Sequence, residues 1–165
     1  MSEQQAQTII TKFQKLQAEN NSQTDERAWI SEHLTSSQLK EIVPKVSLIG
    51  LHILSALEAG EKNGITLAQE LNVTRGGVSR AASKLEAFDL LEKKQRSDNK
   101  KNFYYALTPL GAQLAQVHDE MHAHLEQKLC QLLENNYTSA EQDVIIRFIE
   151  DAGQLKKHFA TLDKK

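Results

Sequence analysis

A chain of 165 residues with 39% hydrophobic content is long enough to bury a core, and its length suits one domain, extended by helices that need a partner. Net charge is -2, yet eight basic and four acidic residues between Thr74 and Lys101 make that stretch +4 and the remainder -6, so a nucleic-acid partner is not excluded. No apolar run approaches the roughly 18 to 20 residues that cross a bilayer and Met1 to Gln7 is polar, which leads us to expect a cytoplasmic protein with no membrane partner.

Glycine and proline punctuate the middle of the chain, so long helices are expected to flank a turn-rich centre. Ile9, Ile10, Phe13 and Leu16 recur at helical spacing, and Ala28, Trp29, Ile30, His33 and Leu34 continue the pattern after the polar Glu19 to Asp25, predicting one or two helices. A short amphipathic piece around Leu39, Ile42 and Val43 is expected to stop before Pro44. A strongly apolar helix follows, from Val46 through Leu48, Ile49, Leu51, Ile53, Leu54 and Leu57, ending near Gly60.

Gly64 to Leu71, a turn at Asn72 and Val73, and a helix capped by Thr74 that runs to about Phe88 read as helix, turn, helix. Leu90 to Arg96, a turn at Ser97, Asp98 and Asn99, and Phe103 to Leu107 read as a hairpin, the wing. Thr108 caps a long helix with Pro109 at its first position and an apolar stripe of Leu110, Leu114, Val117, Met121, Leu125, Leu129 and Leu132. Ser139 with Gln142 reads as a capping box for a last helix bearing Val144, Ile145, Phe148, Ile149, Leu155, Phe159 and Leu162. The expected fold is mainly α, a winged helix-turn-helix with a two-stranded β wing and long N- and C-terminal helices.

A helix-turn-helix reads DNA through the first turns of its second helix, where small or hydrogen-bonding side chains enter the major groove. With Val78, Ala81, Ala82 and Leu85 turned inward, Thr74, Arg75, Gly76, Ser79, Arg80, Ser83 and Lys84 are the groove-facing candidates. Arg75 or Arg80 suits bidentate reading of guanine, Thr74 and Ser79 suit phosphates, and Gly76 permits close backbone approach. Arg96, Asn99, Lys100 and Lys101 lie at or near the wing tip, where cations reach phosphates or the minor groove. A helical protein-interaction module is the non-DNA alternative; it would show no salt-dependent binding to duplex DNA.

The order of elements and the stretch TLAQELNVTRGGVSRAASKLEAFDLLEKKQRSDNKKNFYYALTPLGAQL resemble the MarR family of bacterial regulators. The resemblance implies a homodimeric repressor, acting on double-stranded DNA at a pseudo-palindromic operator. It assigns residues 1–45 to N-terminal dimerisation helices, 46–107 to the winged DNA-binding region and 108–165 to C-terminal dimerisation helices. Two departures stand out. The family usually carries Asp-x-Arg where this wing has Asn99, Lys100 and Lys101, which lack arginine's fork, and Asn20 to Val46 is longer than the usual segment between the first two helices.

Cys130 is the chain's one cysteine, so a metal site must rest on histidine and carboxylate. His118 and His122, at i and i+4 on the predicted long helix, share a face and can hold one ion, although such pairs are also ordinary surface features. In the zinc-sensing branch of the MarR family a histidine before the reading module joins two on the long helix, and His52 matches the first while His118 and His122 match the others. That branch adds a carboxylate from near the end of the first helix; Asp25, Glu26, Glu32 and His33 are the candidates here. A second, cysteine-containing site is not expected, because Leu51 and Val117 stand where acidic ligands belong. Three imidazoles and a carboxylate best suit zinc, though ligand type alone leaves manganese, nickel and cobalt open. By the same resemblance zinc would strengthen DNA binding.

The string HDEMH departs from the zinc-protease HExxH because Asp119, not glutamate, follows the first histidine, so no enzymatic activity is expected. Cys130 beside Leu129 and Leu132 suits core or interface packing better than redox sensing. The alternative function is a MarR-like repressor controlled by a small organic ligand or an oxidant, with no metal site.

Overall fold

A computed structural model describes the backbone of residues 3–19, 23–96 and 99–162, and the side chains of residues 4–16, 26–95, 103–156 and 158. Within them the order is α1 Glu3–Glu19, α2 Gln23–His33, α3 Ser37–Ile42, a 3-10 turn Val43–Lys45, α4 Leu48–Glu58, β1 Lys62–Asn63, α5 Gly64–Glu70, α6 Arg75–Ala87, β2 Leu91–Arg96, β3 Asn99–Leu107, α7 Pro109–Asn136 and α8 Ser139–Leu162. The fold is mainly α with a winged helix-turn-helix. The chain divides into two compact units, Met1–Met121 and His122–Lys165.

In the first unit, side chains set the helix starts by satisfying amides that have no partner within their own helix. The Ser47 hydroxyl accepts from Gly50 N at 3.1 Å, Asn63 Oδ1 accepts from both Ile65 N and Thr66 N at 2.9 Å, and the Thr74 hydroxyl accepts from Gly77 N at 3.1 Å. Asn72 adopts the left-handed conformation (φ 51°), which asparagine tolerates, and so turns the chain between α5 and α6. The short helix α3 stops at Ile42, before Pro44 as expected, and the chain passes through the proline in the 3-10 turn, where the missing amide costs nothing.

Leu51, Ile53 and Leu54 of α4 are fully buried, each contributing about 1.5–3 kcal/mol relative to exposure. They share one cluster with Leu67 of α5, Val78, Ala82 and Leu85 of α6, and Leu114 and Ala115 of α7. Ile30 of α2 and Leu34 just after it, with Leu39 and Val43, are buried in the same cluster. The long Asn20 to Val46 segment therefore supplies core.

The wing is the expected hairpin, with Leu91 opposite Leu107 and Lys93 opposite Tyr105, and its register shifts between Gln95 and Arg96. A third strand joins it: β1 pairs antiparallel with β3, Lys62 opposite Tyr105 and Asn63 opposite Tyr104, giving the order β1-β3-β2. Helix α7 starts against the turn that follows α6. Thr108 Oγ1 donates to Asp89 O at 2.6 Å and accepts from Gly111 N at 3.0 Å, and a Cβ on Gly111 would stand 1.7 Å from Leu90 O. Only glycine permits that approach.

In the second unit the cap of α8 lies one residue earlier than the sequence predicts. Thr138 and Glu141 form the box: Thr138 N and Oγ1 donate to Glu141 Oε2 at 2.8 and 2.7 Å, and Glu141 N donates back to Thr138 Oγ1 at 3.4 Å. Gln142 instead ties the turn, donating from Nε2 to Leu133 O at 3.2 Å and Tyr137 O at 3.0 Å. Leu125, Leu129 and Leu132 of α7 and Val144, Ile146, Phe148, Ile149 and Leu155 of α8 are exposed. Cys130 is exposed as well, so it takes no part in the core of the single chain.

Candidate nucleic-acid interface and metal centre

On α6, Val78, Ala81, Ala82 and Leu85 are buried, whereas Thr74, Arg75, Gly76, Ser79, Arg80, Ser83 and Lys84 are exposed. The groove-facing candidates thus share the solvent side of the second helix. Arg80 Nε donates to Gly76 O at 3.4 Å, which lays that side chain back along the first turn of α6. On the wing, Lys93 Nζ stands 4.0 Å over the Phe103 ring. Lys94 pairs with Glu92 at 2.7 Å and Glu61 at 3.3 Å, and these carboxylates raise its pKa. The backbone register sets Arg96 opposite Asn99 at the hairpin end. The side chains of Arg96, Asn99, Lys100 and Lys101, and the turn residues Ser97 and Asp98, lie outside the described residues. A cavity of about 250 Å³ opens between α6 and the sheet, lined among others by Asn63, Ile65, Arg75, Ser79, Phe103 and Tyr105.

A second constellation joins α4 and α7. His52, His118 and His122 each offer a ring nitrogen, and the three nitrogens lie within 4.8 Å of one another. His118 and His122 occupy successive turns of the unbroken α7, and the ring centroids of His52 and His118 are 5.4 Å apart. A tetrahedral zinc ion with bonds of about 2.0–2.1 Å needs nitrogens about 3.3 Å apart, so small side-chain rotations suffice for the three to fit it. His118 is 1% exposed, while His52 and His122 are exposed, an arrangement with one fixed ligand and two that solvent reaches.

Among the described residues none of the fourth-ligand candidates joins this group. Glu32 and His33 are exposed on α2, and His33 stacks on Trp29 at 3.6 Å with its Nδ1 2.8 Å from Trp29 O. Glu26 Oε2 is buried with no hydrogen-bond partner. The Asp25 side chain lies outside the described residues. Leu51 is fully buried and Val117 partly so, both as apolar packing.

Three polar residues that the sequence did not link to a metal centre stand behind His118. Ser55 Oγ is 2.7 Å from His118 Nδ1 and donates to Asp119 Oδ1 at 2.5 Å, and the same Oδ1 lies 3.3 Å from His118 Nδ1. Burial pushes the Asp119 pKa up, but hydrogen bonds from Glu58, Ser55 and His118 outweigh it, and the net shift is downward. Glu58 moves the other way, to about 7, chiefly because it hydrogen-bonds the Asp119 carboxylate, with burial and charge repulsion adding to the effect. Glu58 is thus the protonated member of the pair below neutrality.

No family model matches the chain. It is 34% identical over 111 residues to the uncharacterised HTH-type transcriptional regulator YhjH of Bacillus subtilis, covering 67% of this chain and 59% of that protein's length. With the HTH-type transcriptional regulator PchR of the same organism it shares 25% identity over 151 residues, 91% of this chain and 78% of PchR. Among solved structures, the zinc-dependent MarR family regulator AdcR in its Zn(II)-bound state is 26% identical, with a TM-score of 0.67 over 93% of this chain and 99% of AdcR. A variant of ZitR from Lactococcus lactis in complex with DNA matches in fold, with a TM-score of 0.67 at 21% identity over 93% of this chain and 97% of ZitR. The curated relatives are HTH-type transcriptional regulators, and this chain shares the winged helix-turn-helix fold of the zinc-dependent MarR family regulator AdcR.

Proposed function

We propose that the protein is a homodimeric, sequence-specific DNA-binding repressor whose affinity for a pseudo-palindromic operator responds to zinc. The observation that carries the metal response is the convergence of His52, His118 and His122 to within 4.8 Å across two helices. The DNA reading is supported by the exposed Thr74, Arg75, Gly76, Ser79, Arg80, Ser83 and Lys84 on α6 and by the basic wing with Arg96, Asn99, Lys100 and Lys101. The exposed apolar residues of α7 and α8, together with Ile9, Ile10 and Leu16 of α1, are the surface a second copy would cover.

A bound zinc ion would supply a crosslink with no redox chemistry of its own. His52 belongs to α4, which packs with α6, and His118 belongs to α7, whose first turn sets Gly111 against Leu90 in the turn after α6. Fixing α4 to α7 therefore narrows the positions α6 can take. In a dimer, that sets the separation of two reading helices that must match about 34 Å along the duplex. No fourth ligand is assigned among Asp25, Glu26, Glu32 and His33, since Glu26, Glu32 and His33 stand outside the three-histidine group.

The test is selection of bound duplexes from a random pool by the full chain, followed by affinity measurements with zinc and with a chelator. A two-half-site consensus bound at least tenfold more tightly with zinc supports the reading; equal affinity in both conditions overturns the metal response. Cytoplasmic location follows from this role.

A further inference from the structure

We propose that Ser55 and Asp119 are positioning residues for the metal centre, holding His118 in the tautomer that carries its proton on Nδ1 and presents the lone pair of Nε2 as the ligand. The inference rests on the zinc reading given above and adds to it a role for residues that do not touch the ion.

An ionised carboxylate can only accept, so the Ser55 hydroxyl hydrogen goes to Asp119 Oδ1. A hydroxyl has one hydrogen, and with it committed, Ser55 Oγ can only accept from His118 Nδ1, 2.7 Å away. Asp119 Oδ1, at 3.3 Å from the same nitrogen, imposes the same direction, because two acceptors cannot face each other. Nδ1 therefore bears hydrogen and Nε2 the lone pair.

The relay is local and preformed. Ser55 lies one turn beyond His52 on α4, and Asp119 follows His118 directly on α7, so one hydroxyl links the two ligand-bearing helices. Its histidine is the buried member of the three. A hydrogen-bonded carboxylate behind a metal-bound imidazole orients the ring and raises its basicity, and loss of such a partner commonly costs about 10–100-fold in affinity. Glu58, hydrogen-bonded to Asp119 from the next turn of α4, fixes the carboxylate itself.

The experiment has two readouts on the full-length chain. Long-range proton–nitrogen spectra of the metal-free, histidine-labelled protein report the tautomer of His118. Zinc affinity is measured by competition with a chelating dye for the native chain, Ser55→Ala, Ser55→Thr and Asp119→Asn, with melting curves to confirm folding. The expected result is an Nδ1–H tautomer for His118 in the native chain, changed in Asp119→Asn because the amide can donate to Nδ1. Zinc affinity falls about 10–100-fold in Asp119→Asn and by a smaller factor in Ser55→Ala, and Ser55→Thr restores it. A native His118 protonated on Nε2, or folded Asp119→Asn and Ser55→Ala variants that bind zinc within twofold of native, would overturn the proposal. A native chain that binds no zinc while His118 keeps the Nδ1–H form sinks the metal reading itself, and the positioning role with it, but leaves the hydrogen-bond assignment intact.

Discussion

Along α7 one apolar repeat meets two environments. Between Gly111 and Met121 the helix is closed against its own chain: Gly111, Leu114, Ala115, His118 and Met121 are buried. One heptad later, Leu125, Leu129 and Leu132 carry the same spacing into solvent, each about half exposed (53, 51 and 49%). The first stretch is held by contacts a single chain completes, whereas the second carries an apolar stripe of a length and regularity that single chains seldom leave uncovered. The stripe is the same; what differs is whether the partner surface is encoded in the same molecule.

Substitutions at the two ends of the helix should therefore fail in different ways, and the largest effect is expected at the closed end. Gly111→Ala places a methyl group against Leu90 O. It should destabilise the protein by about 3 kcal/mol, which lowers the melting temperature by about 10 °C. Leu129→Glu should instead leave helix content intact and shift the sedimentation coefficient from dimer to monomer. Operator affinity then falls about 100-fold or more, because the two reading heads no longer bind as one ligand. A monomeric native chain would break the comparison.

A smaller change is expected from Arg75→Ala or Arg80→Ala, each exposed on α6. Loss of a bidentate base contact costs about 1–3 kcal/mol and relaxes sequence preference at one operator position. An equal loss for all sequences would reassign that arginine to phosphate. The smallest effect concerns Glu58. Its pKa is raised from 4.5 to about 7, so the stability it contributes through Asp119 is complete below 4.5 and lost as pH rises through about 7. Asp119, shifted downward, contributes oppositely, losing stability only as pH falls below its ordinary 3.8. Glu58→Gln, which keeps a donor at every pH, should remove the decline between 4.5 and 7 that urea midpoints of the metal-free native chain show.

What was legible in the sequence, and what was not, follows a physical division. Local side-chain to backbone chemistry was readable: Thr74 and Thr108 cap the helices they were expected to cap, and the inward face of α6 is the apolar set its spacing implies. The cap of α8 was displaced by one residue because Thr138 and Ser139 are both good caps, and Glu141, a charged acceptor three residues after Thr138, decides between them. Strand β1 left no signal, since two residues have no periodicity and are held by backbone pairing with Tyr104 and Tyr105. The apolar spacing of Ile30 and Leu34 was visible, but that they bury in the same cluster as α4 and α6 could not be read from it.

At the metal centre the i, i+4 spacing of His118 and His122 was visible on one helix, and His52 entered only through resemblance. Ser55, Glu58 and Asp119 could not have been linked to it from sequence, because their contact is between α4 and α7 and spans more than 60 positions. Asp119 had drawn notice solely as the residue that spoils a protease motif.

The central claim is that three histidines on two helices hold zinc. Calorimetric titration of zinc into the metal-stripped native chain, beside His52→Ala and His118→Ala at neutral pH, tests it most directly. The account predicts one site per chain, tight in the native protein and lost in both variants. No binding, or binding that neither substitution changes, would contradict it.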